Sequence, residues 1–132
     1  MTDQLGDANE LARRFVACKG WRWLPGMLAQ SESQGVARVF HVATDGWISL
    51  CGGQPFGSPF HTKTPQFPIL SDAATRGAIL QLVRVAWGDP DTGIYKHGRR
   101  WCVIMGGRCE DFFADTEAQA LLAALEAAKA GE

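Results

Sequence analysis

The densest chemistry in this chain sits in one short run, Lys96-His97-Gly98-Arg99-Arg100-Trp101. Cations, an imidazole and an indole so close together can hold an anion against an aromatic face, with stacking and charge each contributing on the order of 1–3 kcal/mol. A wet hairpin tip with Trp101 turned into the core has the same composition, and spacing alone does not choose between the two. A second candidate surface is the proline-rich stretch Gly52 to Pro68, which presents Phe56, Phe60 and Phe67 together with His61 and Lys63. Aromatics on a proline-stiffened loop suit recognition at modest ordering cost, or they pack down over a sheet edge.

Other chemistry is thin. His41, His61 and His97 stand singly, without the spacing that metal ligands on one element share, so no metal site is expected. Cys18, Cys51, Cys102 and Cys109 form no Cys-x-x-Cys pair. Without an export signal they read as free thiols: Cys18, Cys51 and Cys102 as core residues among apolar neighbours, Cys109 as the accessible one. Cys109 with His97 is the one pair to inspect for nucleophilic catalysis. The acids Glu110, Asp111, Asp115 and Glu117 fit helix capping and solvation better than acid–base work. No Gly-x-Ser-x-Gly, phosphate loop or dinucleotide fingerprint occurs, so the chain reads as a non-enzyme without a cofactor.

These residues need elements to position them. With 132 residues, 46% of them hydrophobic and 20% charged, the chain fits one α+β domain, frayed at 1–6 and 130–132. The first helix is expected over Ala8 to Cys18, capped by Asp7, with Leu11, Phe15 and Cys18 as its apolar stripe and Gly20 as its stop. Trp21, Trp23, Leu24 and Met27 then seal a core edge around a turn at Pro25-Gly26. A strand over Ala37 to Ala43 places Val39, His41 and Ala43 on one face, turns at Asp45-Gly46 and returns over Trp47 to Cys51. Ser31 to Gly35 is either a link or the start of an edge strand. Gly52 to Pro68 is a long loop, since its prolines exclude helix and central strand.

A second helix starts at Ser71 or Asp72, buries Ile79, Leu80, Val83 and Trp87, and ends at Gly88 and Pro90. A hairpin about His97-Gly98 joins Gly93–Lys96 to Arg100–Met105, and a last strand follows near Cys109 to Phe113. The last helix opens on Thr116-Glu117-Ala118-Gln119, a capping box, with Leu121, Leu122, Leu125 and Ala128 as its stripe. The αββαββ(β)α order implies a single antiparallel sheet with helices on both faces, because both strand faces carry large apolar groups. The rival is one wet face, and burial of Cys102 and Ile104 decides between them.

The net charge of −1, from 13 Lys and Arg against 14 Asp and Glu, provides no global field for duplex DNA or an anionic membrane. The start Met1-Thr2-Asp3-Gln4-Leu5 is unlike a secretory signal and no run is long enough to span a bilayer, so a cytoplasmic protein is expected.

Three blocks carry a resemblance. Leu11 to Arg14 continuing through Cys18-Lys19-Gly20-Trp21-Arg22-Trp23-Leu24-Pro25-Gly26-Met27, Leu70 to Thr75 with Leu82 to Gly88, and Thr116 to Leu121 together resemble small proteins of bacteriophages and prophages. The order of elements is similar to that of the phage α-β-α sandwich domain family. The resemblance implies a phage-encoded origin and a layered helix–sheet–helix arrangement, and it brings no activity and no catalytic residues. The loop Gly52 to Pro68 departs from the shorter members. Small size, near-neutral charge and missing catalytic motifs then suggest an accessory protein, acting by contact with a host or phage protein and inhibiting a host factor or defence component. The alternative is a sponge for a nucleotide or cyclic nucleotide, with Lys96, Arg99 and Arg100 on phosphate and Trp101 or Trp47 on the base; a homodimer is compatible with either.

Overall fold

The computed structural model describes residues 2–31, 35–43, 47–52, 59–62, 66–105 and 111–128. In chain order the elements are α1 (Thr2–Ala17), β1 (Leu28–Ser31), β2 (Gly35–Val42), β3 (Ile48–Gly52), β4 (Pro59–Thr62), β5 (Phe67–Pro68), α2 (Ala73–Trp87), β6 (Gly93–His97), β7 (Arg100–Ile104), β8 (Asp111–Ala114) and α3 (Glu117–Ala128). The class is α+β, as the sequence implies. The strands do not merge into one sheet, however. They form a five-stranded sheet ordered β4-β3-β2-β1-β5 and a three-stranded sheet ordered β6-β7-β8, with every pairing antiparallel. Strands before α2 pair among themselves, as do those after it, since short connections favour sequence neighbours. Two compact units result: Arg22–Ala78, and Met1–Trp21 with Ile79–Glu132.

Within Arg22–Ala78, Pro25-Gly26 makes the expected turn. Gly26 has φ 101°, a value that favours glycine, and the Met27 amide donates to the Leu24 carbonyl at 3.2 Å. The turn launches β1, a strand the sequence reading lacks, which lies inside the sheet between β2 and β5. Ala37 and Val39 on β2 are buried with Ile48, Ser49 and Leu50 on β3. A bulge between Val39 and His41 breaks the alternation of β2, so His41 is exposed and does not share the buried face of Val39. The stretch Gly52 to Pro68 is not wholly loop either, because β4 and β5 lie within it. Both are edge strands, where a proline without an amide hydrogen leaves no ladder bond unmade.

The start of α2 is fixed by a polar network. Asp72 caps it, its Oδ2 accepting the Thr75 amide at 3.0 Å and the Thr75 hydroxyl at 2.8 Å. Arg38 on β2 donates to both Asp72 oxygens, at 2.9 and 3.2 Å, and to the Gly26 carbonyl at 2.8 Å. The Leu28 amide on β1 donates to the Thr75 hydroxyl at 2.8 Å. Turn, sheet and helix start therefore meet at one carboxylate.

In the other unit, α1 begins earlier than expected and Asp7 lies inside it. No proline interrupts Thr2 to Asp7, and Gly6 costs only about 1 kcal/mol. The helix ends at Ala17 before Gly20, whose φ is not positive. A Cβ at Gly20 would lie 3.2 Å from Leu125 Cδ1 and 3.4 Å from the Ala86 Cβ, so this glycine serves close packing rather than a stop. Trp21 lies beside Phe15, ring centroids 6.0 Å apart. The α2 helix buries Ile79, Leu82 and Val83, and Gly88 at φ 63° ends it. Thr116 and Gln119 form the reciprocal capping box, Oγ1 accepting the Gln119 amide at 3.1 Å and Oε1 the Thr116 amide at 3.2 Å. Leu121, Leu122, Leu125 and Ala128 are buried, and Trp87 Nε1 donates to the Ala124 carbonyl at 2.8 Å.

Candidate functional site

The hairpin carrying the basic run turns at Gly98-Arg99, one residue later than expected, with His97 paired to Arg100. Gly98 has φ 67° while no non-glycine residue has positive φ, which is the type II′ pattern of two-residue hairpins. Lys96, His97, Arg99 and Arg100 are exposed, and Trp101 is half-buried.

The pleat divides this run. Lys96 pairs directly with Trp101 across the strands, and its ammonium lies 5.9 Å from the indole centroid. That face continues through Ile94, Val103, Phe112 and Ala114, with Val103 fully buried and Phe112 5.9 Å from Trp87. His97 and Arg100 point the other way. Their face continues through Tyr95, Cys102 and Phe113, which lie in one row across the strands, and then Gly93, Ile104 and Asp111. Arg100 and Trp101 therefore belong to opposite faces, and the run is not one surface.

The face with His97 and Arg100 is open. Tyr95 is 55% exposed, Phe113 46% and Ile104 40%, while Cys102 beneath them is only 2% exposed. The two residues set to decide between covered and wet faces thus divide: Cys102 is buried and Ile104 is exposed. The Tyr95 ring lies back over Gly93, whose imagined Cβ would fall 2.7 Å from the tyrosine oxygen. Glycine at 93 is what allows the ring to lie along the sheet. The Arg100 guanidinium carbon is 5.7 Å from the Phe113 centroid, and the His97 ring approaches Phe113 edge-on at 6.4 Å. Arg100 Nε is 4.0 Å from Asp115 Oδ1, a loose pairing between exposed groups.

Of the second predicted surface, Phe56 and Lys63 lie outside the described residues. Phe60 and His61 belong to β4, at register positions opposite Leu50 and Ser49. On β2 of the same sheet Val36 and Phe40 are exposed, as is Trp47 just before β3. Cys51 is exposed rather than buried, since it pairs with Arg38 on the side of β3 opposite Leu50. Cys18 is half-buried, its thiol donating to the Arg14 carbonyl at 3.3 Å, and Cys109 lies outside the described residues. Among the described residues no group of three His, Cys, Asp or Glu side chains could hold a metal ion, and no helix is long and apolar enough to cross a membrane.

Two features of the geometry lie beyond the candidates that residue spacing marks. The first is the row of Tyr95 and Phe113 with Ile104 beyond it, whose trace was the alternation Gly93, Tyr95, His97. The second is the role of Arg38, which no local pattern marks because its partner is 34 residues away. The Asp72 carboxyl is lowered to about 2, first by the hydrogen bond from Arg38 and then by those from the Thr75 hydroxyl and amide against the opposing effect of burial. Compared with protein-family models, curated proteins and solved structures, the chain matches none of them.

Proposed function

We propose that this chain is a phage-type accessory binding protein that acts by protein–protein contact, inhibiting a host factor, with the open face of the three-stranded sheet as its contact surface. One observation carries the reading: Tyr95, Ile104 and Phe113 leave large apolar side chains exposed together on one sheet face, bordered by His97 and Arg100. Clustered exposed apolar groups rimmed by polar ones mark interaction sites, and aromatic and arginine side chains supply most binding energy at such sites. The phage origin rests on the resemblance of the three sequence blocks. The nucleotide alternative is less favoured by the pleat, which turns Trp101 away from Arg100, so one ligand would not stack on the first while its phosphate met the second.

The test is co-purification from bacterial cells expressing the tagged chain. A single partner recovered in stoichiometric yield, lost in Tyr95→Asp and Phe113→Asp but retained in Val85→Asp, is the expected result; Val85 is an exposed residue of α2. Retention of that partner by the Tyr95 and Phe113 variants would reject the face. Thermal stabilisation by a saturating nucleotide, about 2.7 kcal/mol at 100 times the dissociation constant, with no protein partner would favour the sponge instead.

A further inference from the structure

We infer that the open face receives an extended acidic–apolar protein segment, its carboxylate over the His97 and Arg100 end and its apolar side chains over Tyr95, Phe113 and Ile104. This rests on the protein-contact reading and adds the chemistry of the partner. Three rows cross the face: His97 with Arg100, then Tyr95, Cys102 and Phe113, then Gly93, Ile104 and Asp111. Successive rows are two residues apart along each strand, or about 6.7 Å. Side chains i, i+2 and i+4 of an extended chain recur at that same interval on one side.

Charge sets the direction. The row at the hairpin tip is cationic, and exposed Arg99 adds to it, although the whole chain carries a net charge of −1. The next rows expose Tyr95, Phe113 and Ile104. The Arg100 guanidinium is available to a new carboxylate because its distance to Asp115 is 4.0 Å and both side chains are more than half exposed, so exchanging one exposed pairing for another costs little. A planar guanidinium then offers two parallel donors to a carboxylate. A nucleic acid strand fits less well. It carries a phosphate at every nucleotide, whereas the cations of this face are confined to one row and the exposed Asp115 stands beside them.

The test is selection of short random peptides on the full wild-type chain, followed by affinity measurement on the leading peptide. Enriched peptides are expected to carry Asp or Glu two positions from an apolar residue, with a second apolar residue two positions further. Arg100→Glu should weaken the leading peptide about tenfold or more, with added salt weakening it on the wild type. Exchanging the peptide's acid for Lys should restore binding to Arg100→Glu. Absence of enrichment, enrichment without the acid at that spacing, or affinity indifferent to Arg100→Glu would overturn the inference, as would tighter binding of a single-stranded oligonucleotide than of any selected peptide. A cellular partner that depends on Tyr95 and Phe113 but not on Arg100 would leave the protein-contact reading standing and remove this one. Unchanged thermal unfolding of Arg100→Glu separates lost binding from lost structure.

Discussion

Arg38 on the five-stranded sheet and Arg100 on the three-stranded sheet are the same residue type at exposed strand positions, and their surroundings give them opposite uses. Arg38 donates to both oxygens of Asp72 and to the Gly26 carbonyl, all within 3.2 Å. Its donors are committed to holding a turn, a strand and a helix start together. Arg100 has a carboxylate 4.0 Å away and a phenyl ring beneath it. An arginine anchored at several fixed points serves the fold, whereas one resting on an aromatic ring retains donors for something else. The contrast separates a structural cation from a recognition cation where composition alone does not.

The comparison breaks most readily at Asp72. Asp72→Ala removes the cap, the Arg38 partner and the acceptor of the Thr75 hydroxyl together, and urea unfolding should show a loss of about 2 kcal/mol. A loss no greater than that of Arg100→Ala would erase the distinction between the two arginines.

Acid sharpens the same point. The Asp72 carboxyl has an ordinary value of 3.8 and is lowered to about 2 in the folded chain. A depressed carboxylate contributes stability that is fully present above the unfolded value and is lost as pH falls through the folded one. Stability should therefore decline from about pH 4 toward about pH 2, and Asp72→Asn should flatten that part of the profile. An unchanged acid limb in the variant would mean that other carboxylates control it.

On the other sheet, Gly93→Ala should displace Tyr95 from its place along the strand at a stability cost of about 1 kcal/mol or less. Tyr95 is the chain's one tyrosine, so its ring resonances report the movement directly; unshifted resonances would show that the ring does not depend on Gly93. The smallest effect belongs to Arg100→Ala, which should change stability by less than about 0.5 kcal/mol. A larger loss would place Arg100 with Arg38 as a structural cation.

What was legible in the sequence follows from how local each determinant is. The Thr116 capping box and the Pro25-Gly26 turn involve partners within a few residues and form as expected, and of the two candidate caps of α2, Ser71 and Asp72, it is Asp72 that accepts the Thr75 amide. The tip hairpin was displaced by one residue, because His97-Gly98 and Gly98-Arg99 are both plausible turns until the strand register is fixed. The strand β1 has no local signature, being four residues long and held by pairing with β2 and β5. The bulge after Val39, which exposes His41, is not legible because an extra residue in one strand leaves no mark in an alternating pattern. Dividing one expected sheet into two was likewise beyond local reading, since both arrangements use the same hairpins. For the candidate site, the charges are legible, whereas the pleat that separates Trp101 from Arg100 follows from the register that sets Lys96 opposite Trp101 and His97 opposite Arg100.

The fully buried Thr75 hydroxyl has a further consequence. It accepts the Leu28 amide while donating to Asp72, so that amide hydrogen is shielded by a side chain from the first turn of α2 rather than by a neighbouring strand alone. Its exchange with deuterated solvent consequently follows the seating of the helix start. A single backbone hydrogen on β1 thus times how often the first turn of α2 opens, and Thr75→Val would make that hydrogen exchange earlier than those of its neighbours.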